Sequence, residues 1–296
     1  MIIIPGYENF AKIELLKKRH DDSKFYVETN EGKLFLLHTS DVKEYEHIKA
    51  EFDMMKRVSS TNIRMQQPVD FGLCDDGKRC FQLLTWCDGK EAANIIPKLR
   101  EAEQFNMGEQ AGMILQKIHT IHALESQKEW SACFKGAVDI RFKECHDRNL
   151  HFDDDKRIFE YFEANLDIVK NRPQCLRHND FQLGNMIINN DTLIVIDFTN
   201  YDFGDPYEEF VHVTRTALNT PLFSVGVIKG YFGGDPPKEF WKLLAYYTIC
   251  FLPEYIWWGA IFGQDEIDDR VAKARFIFET YTDKQNLVPG WYQNNI

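Results

Sequence analysis

Paired cysteines are missing from this 296-residue chain. No C-x-x-C motif occurs, and the number of cysteines is odd, which leaves at least one thiol without a partner in the chain. This pattern favours reduced thiols in a cytosol over a disulfide framework or a zinc site. The seven cysteines are Cys74, Cys80, Cys87, Cys133, Cys145, Cys175 and Cys250.

An excess of positive charge is also missing. The chain has 46 acidic and 35 basic side chains, a formal net charge of −11. A surface of this sign repels phosphate backbones, so no nucleic-acid partner is expected, whereas a cationic small molecule is attracted. The hydrophobic fraction of 44% is that of an ordinary globular protein with a core. No feature of the sequence distinguishes a monomer from a dimer.

A secretion leader and a clear membrane span are not evident either. The start is apolar but short and lacks basic residues. The segment 243–262 is nearly all apolar and about as long as a span, yet it contains Glu254 beside Pro253 and many aromatic residues. It is therefore predicted to be a buried, interrupted helical region, and the protein is expected to be soluble, cytoplasmic and free of membrane contacts.

The amino-terminal part reads as two hairpins around one helix. Strand patterns at 25–29 and 34–37 flank a turn, and a second pair at 69–73 and 80–84 flanks the turn Asp75-Asp76-Gly77. Between them, apolar residues recur at helical spacing over residues 41–58. These elements predict a small β-rich lobe.

The remainder is mostly helical. Helical spacing recurs over 107–121 and 158–169 and again from Pro206 onward, interrupted by a short hairpin around the turn Asn189-Asn190-Asp191. The predicted fold class is α+β, with an amino-terminal lobe of residues 1–87 and a larger helical lobe of residues 88–296.

One segment carries the chemistry. His178-Asn179-Asp180 is followed by Asn185, five residues after the aspartate, and then by Asp197 at the end of an apolar strand. Phosphoryl transfer needs a carboxylate that orients the acceptor hydroxyl and takes its proton, and oxygen ligands that hold Mg²⁺ against the nucleotide phosphates. Singly, each residue is more typical of a turn, a cap or a strand end. Their combination at this spacing favours catalysis.

The segment resembles the H-G-D-x-x-x-x-N and I-D-F/W signature of the aminoglycoside phosphotransferase and choline kinase family. The resemblance implies a bilobal protein-kinase-like fold and use of ATP or GTP with Mg²⁺. By the same match, Asp180 is the catalytic base, His178 a structural histidine of the catalytic loop, and Asn185 and Asp197 the metal ligands. Glu51 matches the helix glutamate that pairs with the phosphate-binding lysine. The hinge that binds the base is predicted at Leu84, Thr85, Trp86 and Cys87.

The sequence departs from the family pattern at the nucleotide phosphates. His38 stands where the strand lysine is expected, and the phosphate-covering turn, residues 19–24, contains no glycine and two carboxylates. A protonated His38 is the predicted substitute, with Ser23 and Lys24 as further phosphate contacts. Asn179 replaces a glycine, which is tolerable because asparagine adopts left-handed backbone angles more readily than other side chains.

The acceptor is the least determined part. The carboxy-terminal region combines carboxylates with aromatic side chains, which suits a small cationic, hydroxylated ligand such as an aminoglycoside, an amino sugar or choline. The predicted acceptor-binding residues are Asp180, Glu208, Glu254, Trp257 and Trp258. The alternative, which has equal weight, is that these carboxylates lie on a solvent-exposed face and that the aromatic side chains belong to the core.

Two functions therefore stay open. The first is a small-molecule kinase, favoured by Asp180, Asn185 and Asp197. The second is a degenerate family member that binds nucleotide or ligand without turnover, favoured by His38 and the glycine-free turn. A protein kinase is not expected, because Asp197-Phe198 continues with Thr199 instead of glycine and no A-P-E segment follows.

Overall fold

The structure is a computed structural model that describes residues 4–7, 10–19, 22–150, 155–282 and 287–295. It contains two compact units. The first comprises Met1–Ile95 and Leu183–Tyr201, and the second comprises Ile96–Gln182 and Asp202–Ile296. The hairpin segment after the catalytic motif thus groups with the amino-terminal residues. The division into lobes at residues 87 and 88 stays a prediction.

The first unit is built mainly from strands. Its five-stranded antiparallel sheet has the order β1-β2-β3-β5-β4, and a three-stranded sheet has the order β6-β8-β9. The elements in chain order are β1 (Phe10–Arg19), β2 (Asp22–Thr29), β3 (Leu34–Asp41), α1 (Tyr45–Ser59), β4 (Pro68–Cys74), β5 (Arg79–Thr85), β6 (Lys90–Glu91), α2 (Ala92–Ile95), β8 (Met186–Asn189) and β9 (Thr192–Val195).

Both predicted amino-terminal hairpins are present, but β1 was not predicted. Its side chains give little periodic signal, because it is an edge strand on which Ile13, Leu15 and Leu16 are about half exposed. Of the predicted phosphate-covering turn, His20 and Asp21 lie outside the described residues. Of its described residues, Arg19 ends β1, and Asp22, Ser23 and Lys24 begin β2.

Helix α1 and the β8–β9 hairpin follow the sequence pattern closely. Ile48, Phe52, Met55 and Val58 form the buried stripe of α1, as the helical spacing predicts. The hairpin turns through Asn190 and Asp191, whose φ angles of 46° and 60° are those of a two-residue turn suited to antiparallel strands.

The second unit is mainly helical, with one two-stranded sheet, β10-β7. Its elements in chain order are α3 (Glu101–Ile118), α4 (Trp130–Asp147), α5 (Asp155–Asn165), β7 (Cys175–Arg177), β10 (Asp202–Gly204), α6 (Phe210–Ala217), α7 (Pro221–Phe232), α8 (Lys238–Gly259), α9 (Gln264–Thr282) and α10 (Gly290–Gln293). Its core is strongly aromatic and includes Trp130, Phe134, Phe162, Tyr246 and Tyr247.

The apolar region around Pro253 is one helix. It is buried, as predicted, but the predicted interruption is wrong, because α8 runs from Lys238 to Gly259 with Pro253 inside it. Burial of both faces in the aromatic core outweighs the local cost of a proline. Within the part of the chain that the structure describes, no helix combines the length and the hydropathy that crossing a bilayer requires.

Helices α3 and α7 approach each other through glycines. A Cβ atom at Gly112 would lie 2.1 Å from the Val227 carbonyl oxygen, and one at Gly226 would lie 2.2 Å from the Phe105 carbonyl oxygen. Such separations are too short for any side chain, so the two backbones can pack this closely only where glycine is present.

Candidate active site

A cavity of about 470 Å³ lies within the first unit. Its volume is in the range of small-molecule sites. Its lining combines apolar residues such as Leu36, Ile187 and Ile196 with charged and polar residues such as Lys24 and Asp197. Seven of the residues predicted from the sequence line this cavity, namely Lys24, His38, Glu51, Leu84, Trp86, Cys87 and Asp197.

Two other predicted nucleotide contacts are placed differently. Ser23 is buried, 7% exposed, and does not line the cavity. Thr85 is held at its backbone: its N–H donates to the Gln67 carbonyl at 2.9 Å, and its carbonyl accepts the Gln66 side-chain amide at 3.1 Å. Gln66 itself lines the cavity, so it reaches the hinge from the neighbouring segment.

Three side chains form a row across the sheet of the first unit. Lys24 on β2 is directly opposite His38 on β3, which is directly opposite Gln82 on β5. Directly opposed residues of an antiparallel pair share one face of the sheet. All three line the cavity, so this face of the sheet forms its polar wall.

His38 is fixed from two sides. It is 3% exposed; its Nδ1 lies 3.0 Å from Gln82 Nε2, and its Nε2 lies 3.3 Å from Asp22 Oδ1. The Gln82 amide nitrogen also donates to Glu51 Oε1 at 3.2 Å, which identifies it as the donor and His38 Nδ1 as an acceptor. The contact with His38 lowers the pKa of Asp22 to about 2.

Glu51 is a buried carboxylate on α1. Its Oε1 accepts the Gln82 amide at 3.2 Å and lies 3.4 Å from Thr199 Oγ1. Burial raises the pKa of Glu51 above its ordinary value, although the Gln82 hydrogen bond opposes the shift. The predicted burial of this acid is thus observed, with an amide as its hydrogen-bond donor.

Asp197 has an uncommon backbone conformation. Its φ of 63° lies in the left-handed region, which is uncommon for aspartate and concentrates at functional sites. Its Oδ1 accepts the Thr199 hydroxyl at 2.7 Å, and its Oδ2 lies 3.3 Å from Lys24 Nζ. The Ile196 N–H donates to the Asn185 carbonyl at 3.0 Å, which ties the residue before Asp197 to Asn185.

The predicted catalytic base, Asp180, lies in the second unit. Gln182 Nε2 donates to Asp180 Oδ1 at 2.6 Å, and His212 Nδ1 lies 3.9 Å from the same oxygen. The Asp180 side chain is 25% exposed, so it is accessible while its orientation is restrained. His178 is fully buried and packs edge-on against Phe181.

Glu209, the residue immediately before α6, supports this loop. It is fully buried and accepts the backbone N–H groups of Asn179 and Phe181 at 3.0 and 3.3 Å. Burial alone would raise the pKa of Glu209, but contacts with His119 and other histidines lower it to about 2. The loop is therefore anchored by an ionised carboxylate.

Three of the five predicted acceptor-binding residues, Glu208, Glu254 and Trp257, contact arginines. Arg141 donates to Glu254 Oε2 at 2.7 Å and to Glu208 Oε1 at 3.2 Å, and Arg177 also pairs with Glu208. Glu208 is 6% exposed. Trp257 and Trp258 stack at 4.9 Å between ring centroids, with the Arg148 guanidinium over Trp257.

Sequence reasoning missed the roles that four polar residues have in these sites, namely Gln82, Thr199, Asp22 and Glu209. Gln82 carried a signal, because it is a polar residue inside the apolar run Cys80–Leu84. Asp22, one of the two carboxylates of the phosphate-covering turn, faces His38. The contacts of Thr199 with Glu51, and of Glu209 with the loop around Asp180, join residues far apart in the sequence.

The sequence matches the Phosphotransferase enzyme family over residues 12–241. The chain therefore belongs to this family and is a kinase-like phosphotransferase. No curated protein matches it by sequence.

Solved structures of aminoglycoside phosphotransferases share the fold. The gentamicin complex of APH(2'')-IIa is 18% identical with a TM-score of 0.65, covering 91% of this chain and 94% of that one. A thermostable APH(4)-Ia bound to AMP-PNP and hygromycin B is 12% identical with a TM-score of 0.69, covering 94% and 97%. APH(2'')-Ib with ADP is 18% identical with a TM-score of 0.64, covering 91% and 95%. The predicted α+β, protein-kinase-like fold class is confirmed.

Proposed function

We propose that this protein transfers the γ-phosphoryl group of ATP or GTP to a hydroxyl of a small acceptor. The observation that carries the proposal is the cavity of about 470 Å³, which gathers Lys24, Asp197 and the predicted hinge residues Trp86 and Cys87. An apolar part suits a purine base and a charged part suits phosphates. The complexes of related enzymes with AMP-PNP, ADP and GDP support a nucleotide as the occupant.

Asp180 is the proposed base. The acceptor oxygen attacks the γ-phosphorus, its proton passes to the Asp180 carboxylate, and the bond to the β-phosphate oxygen breaks, which releases the nucleoside diphosphate. The Gln182 amide at 2.6 Å orients the carboxylate for this role. His178, buried under the loop, holds it in place instead of exchanging protons.

Asn185 and Asp197 are the proposed Mg²⁺ ligands. One amide oxygen and one carboxylate fit Mg²⁺, which prefers a few protein oxygens completed by phosphate and water. The Lys24 ammonium beside Asp197 Oδ2 indicates that this carboxylate faces a cationic environment. When bound, Mg²⁺ would neutralise charge on the nucleotide phosphates.

The proposed acceptor is a small, hydroxylated cation, with aminoglycosides as the first candidates, beside amino sugars and choline. Trp257, Trp258 and Glu254 are the residues proposed to contact it, through cation–π and charge interactions. Trp258 is 44% exposed and the Glu254 side chain is 26% exposed, so both are accessible to a ligand. Glu208 is proposed to act through Arg141, because its carboxylate is buried against two arginines.

Nucleoside diphosphate release tests the proposal. The protein is incubated with Mg-ATP or Mg-GTP and a panel of aminoglycosides, amino sugars and choline. Acceptor-dependent turnover should appear in the wild type and fall by at least about a thousandfold in Asp180→Asn, because general base and positioning contributions are lost together. Asp167→Asn, an exposed carboxylate of the same unit, is the control and should keep full activity. Turnover that survives in Asp180→Asn contradicts the assigned base.

The alternative is a family member that binds nucleotide or ligand without turnover. His38 at the lysine position is the observation that favours it. The two functions differ in their magnesium dependence. Thermal unfolding with ATP or GTP, with and without Mg²⁺, should show a larger stabilisation with the metal if Asn185 and Asp197 bind it. If nucleotide stabilises the protein equally with and without Mg²⁺ and no turnover is detected, the alternative is supported.

A further inference from the structure

A lysine of β2 has its ammonium 3.3 Å from Asp197 Oδ2, whereas the family pattern has its phosphate-binding lysine at the position of His38 on β3. We propose that Lys24, on β2, supplies the ammonium that contacts the nucleotide phosphates, and that His38 is a positioning residue of the same site. This inference rests on the proposed nucleotide-dependent function and goes beyond it, because it assigns the phosphate-binding cation to a position where the family pattern has none.

The cross-strand register makes the replacement geometrically possible. Lys24 on β2 and His38 on β3 are directly opposed. Opposed residues of this kind have Cβ atoms about 4.5–5.5 Å apart on one face. A lysine side chain is longer than this separation, so the ammonium of Lys24 can reach the region that a lysine at position 38 would serve. It does so here, since Nζ lies 3.3 Å from Asp197 Oδ2.

His38 is not available for that task. Its Nδ1 accepts the Gln82 amide and its Nε2 faces Asp22, so both ring nitrogens are directed at protein groups. Its side chain is 4% exposed. A ring whose two nitrogens both face protein groups is poorly placed to contact a phosphate.

Glu51 agrees with this assignment. In the family pattern it pairs with the strand lysine, but here its Oε1 accepts the Gln82 amide at 3.2 Å. In the family pattern one lysine both pairs with the helix glutamate and contacts the phosphates. Here two residues of the row Lys24–His38–Gln82 divide these tasks. Gln82 holds Glu51, and Lys24 provides the charge.

Lys17 offers a matched comparison. It is opposite Lys24 in the β1–β2 ladder, lines the same cavity and is exposed. Removing either lysine lowers the local positive potential by the same charge. Only Lys24 has its ammonium beside Asp197. A specific phosphate contact should therefore be lost in Lys24→Met and kept in Lys17→Met.

The test is direct binding by titration calorimetry, using ATP, ADP and adenosine, with GTP, GDP and guanosine in parallel. Lys24→Met should weaken ATP and ADP binding by about tenfold to hundredfold, the range for a hydrogen bond to a charged group. It should leave adenosine binding within about twofold. Lys17→Met should change ATP binding by less than about threefold, as a screened exposed charge does. Lys24→Met with His38→Lys should regain part of the lost ATP affinity.

Each outcome decides the matter. The assignment of Lys24 is overturned if Lys24→Met and Lys17→Met weaken ATP binding equally. It is also overturned if Lys24→Met weakens adenosine binding as much as ATP binding. In both cases the proposal that the protein binds nucleotide still holds. If the wild type binds none of the nucleotides, the proposed function fails and this inference fails with it. Lys24 is partly exposed, so its replacement should leave the thermal unfolding midpoint unchanged, which separates lost contact from lost fold.

Discussion

The Glu209 carboxylate accepts the backbone N–H of Asn179 at 3.0 Å, across 30 residues of sequence. It also accepts the N–H of Phe181 at 3.3 Å, so both neighbours of Asp180 are tied to one buried acid. Asn179 has a φ of 59°, in the left-handed region. The asparagine that replaces glycine in this motif is thus compatible with its backbone, and Glu209 stabilises the conformation that results.

Replacing Glu209 by glutamine should therefore affect stability and turnover together. In Glu209→Gln, an NH₂ group replaces one of the two oxygens that accept backbone N–H groups, and the negative charge is lost. The free energy of unfolding should therefore fall by about 1–3 kcal/mol. Because Asp180 is then less well positioned, kcat should fall at least about tenfold. Urea denaturation and steady-state kinetics measure the two effects.

The cavity proposed to bind nucleotide lies in the first unit, so nucleotide affinity should stay unchanged in Glu209→Gln. The control is Glu163→Gln, which replaces a half-exposed glutamate of the second unit. It should change neither the free energy of unfolding nor kcat. A variant with normal kcat would show that the loop does not need this anchor.

Thr199 should strengthen the Mg²⁺-dependent binding of nucleotide. Its hydroxyl donates to Asp197 Oδ1 at 2.7 Å and so restrains the proposed metal ligand. Thr199→Val should weaken Mg²⁺-dependent nucleotide binding about fivefold, the equivalent of one hydrogen bond of about 1 kcal/mol. Thr199→Ser keeps the hydroxyl and should bind like the wild type. Equal affinities for the valine and serine variants, measured by calorimetry at saturating Mg²⁺, would refute the role.

Arg141 should be more important for folding than a surface arginine. It pairs with Glu208 and Glu254 while being only 13% exposed, so Arg141→Met leaves carboxylates with a lost partner in a poorly solvated region. We expect the free energy of unfolding to fall by about 2–4 kcal/mol. The loss is limited because Glu208 keeps its pair with Arg177. Adding Glu254→Gln should recover part of it. Equilibrium denaturation of the single and double variants measures the coupling.

Stability should fall as the pH is lowered below about 6.5. Burial lowers the pKa values of His119 and His212 below the ordinary value of 6.5, so below that pH the unfolded chain binds more protons than the folded one. Each histidine contributes at most about 1.4 kcal/mol per pH unit. The pKa of Glu209, lowered to about 2 from 4.5, contributes only at lower pH.

The measurement is urea denaturation between pH 7.5 and 5.5. The wild type should lose about 1–2 kcal/mol over this interval. His119→Gln should show a shallower pH dependence, whatever its absolute stability, because one of the two titrating groups is gone. His146→Gln, an exposed histidine, is the control and should keep the wild-type slope. A wild type whose stability is constant over this range would contradict the assignment.

Local patterns were sufficient for several elements. Hairpins at β2–β3, β4–β5 and β8–β9 were predicted because alternating or apolar strands are bounded by turn residues such as Asp75-Asp76-Gly77. The stripe of α1 was predicted from its spacing. Strand β1 was missed because its apolar side chains are half exposed, and the break at Pro253 was wrong because core packing sustains α8.

The sequence by itself predicted the reaction chemistry, because Asp180, Asn185 and Asp197 form a short motif whose spacing is readable without any fold. Only the tertiary structure decided which lysine lies beside Asp197, which donor holds Glu51 and which acid anchors the loop around Asp180. The Lys24–Asp197 contact spans 173 residues and the Gln82–Glu51 contact spans 31. Contacts of this kind depend on strand register and on the packing of distant segments, and neither is encoded in any local periodicity.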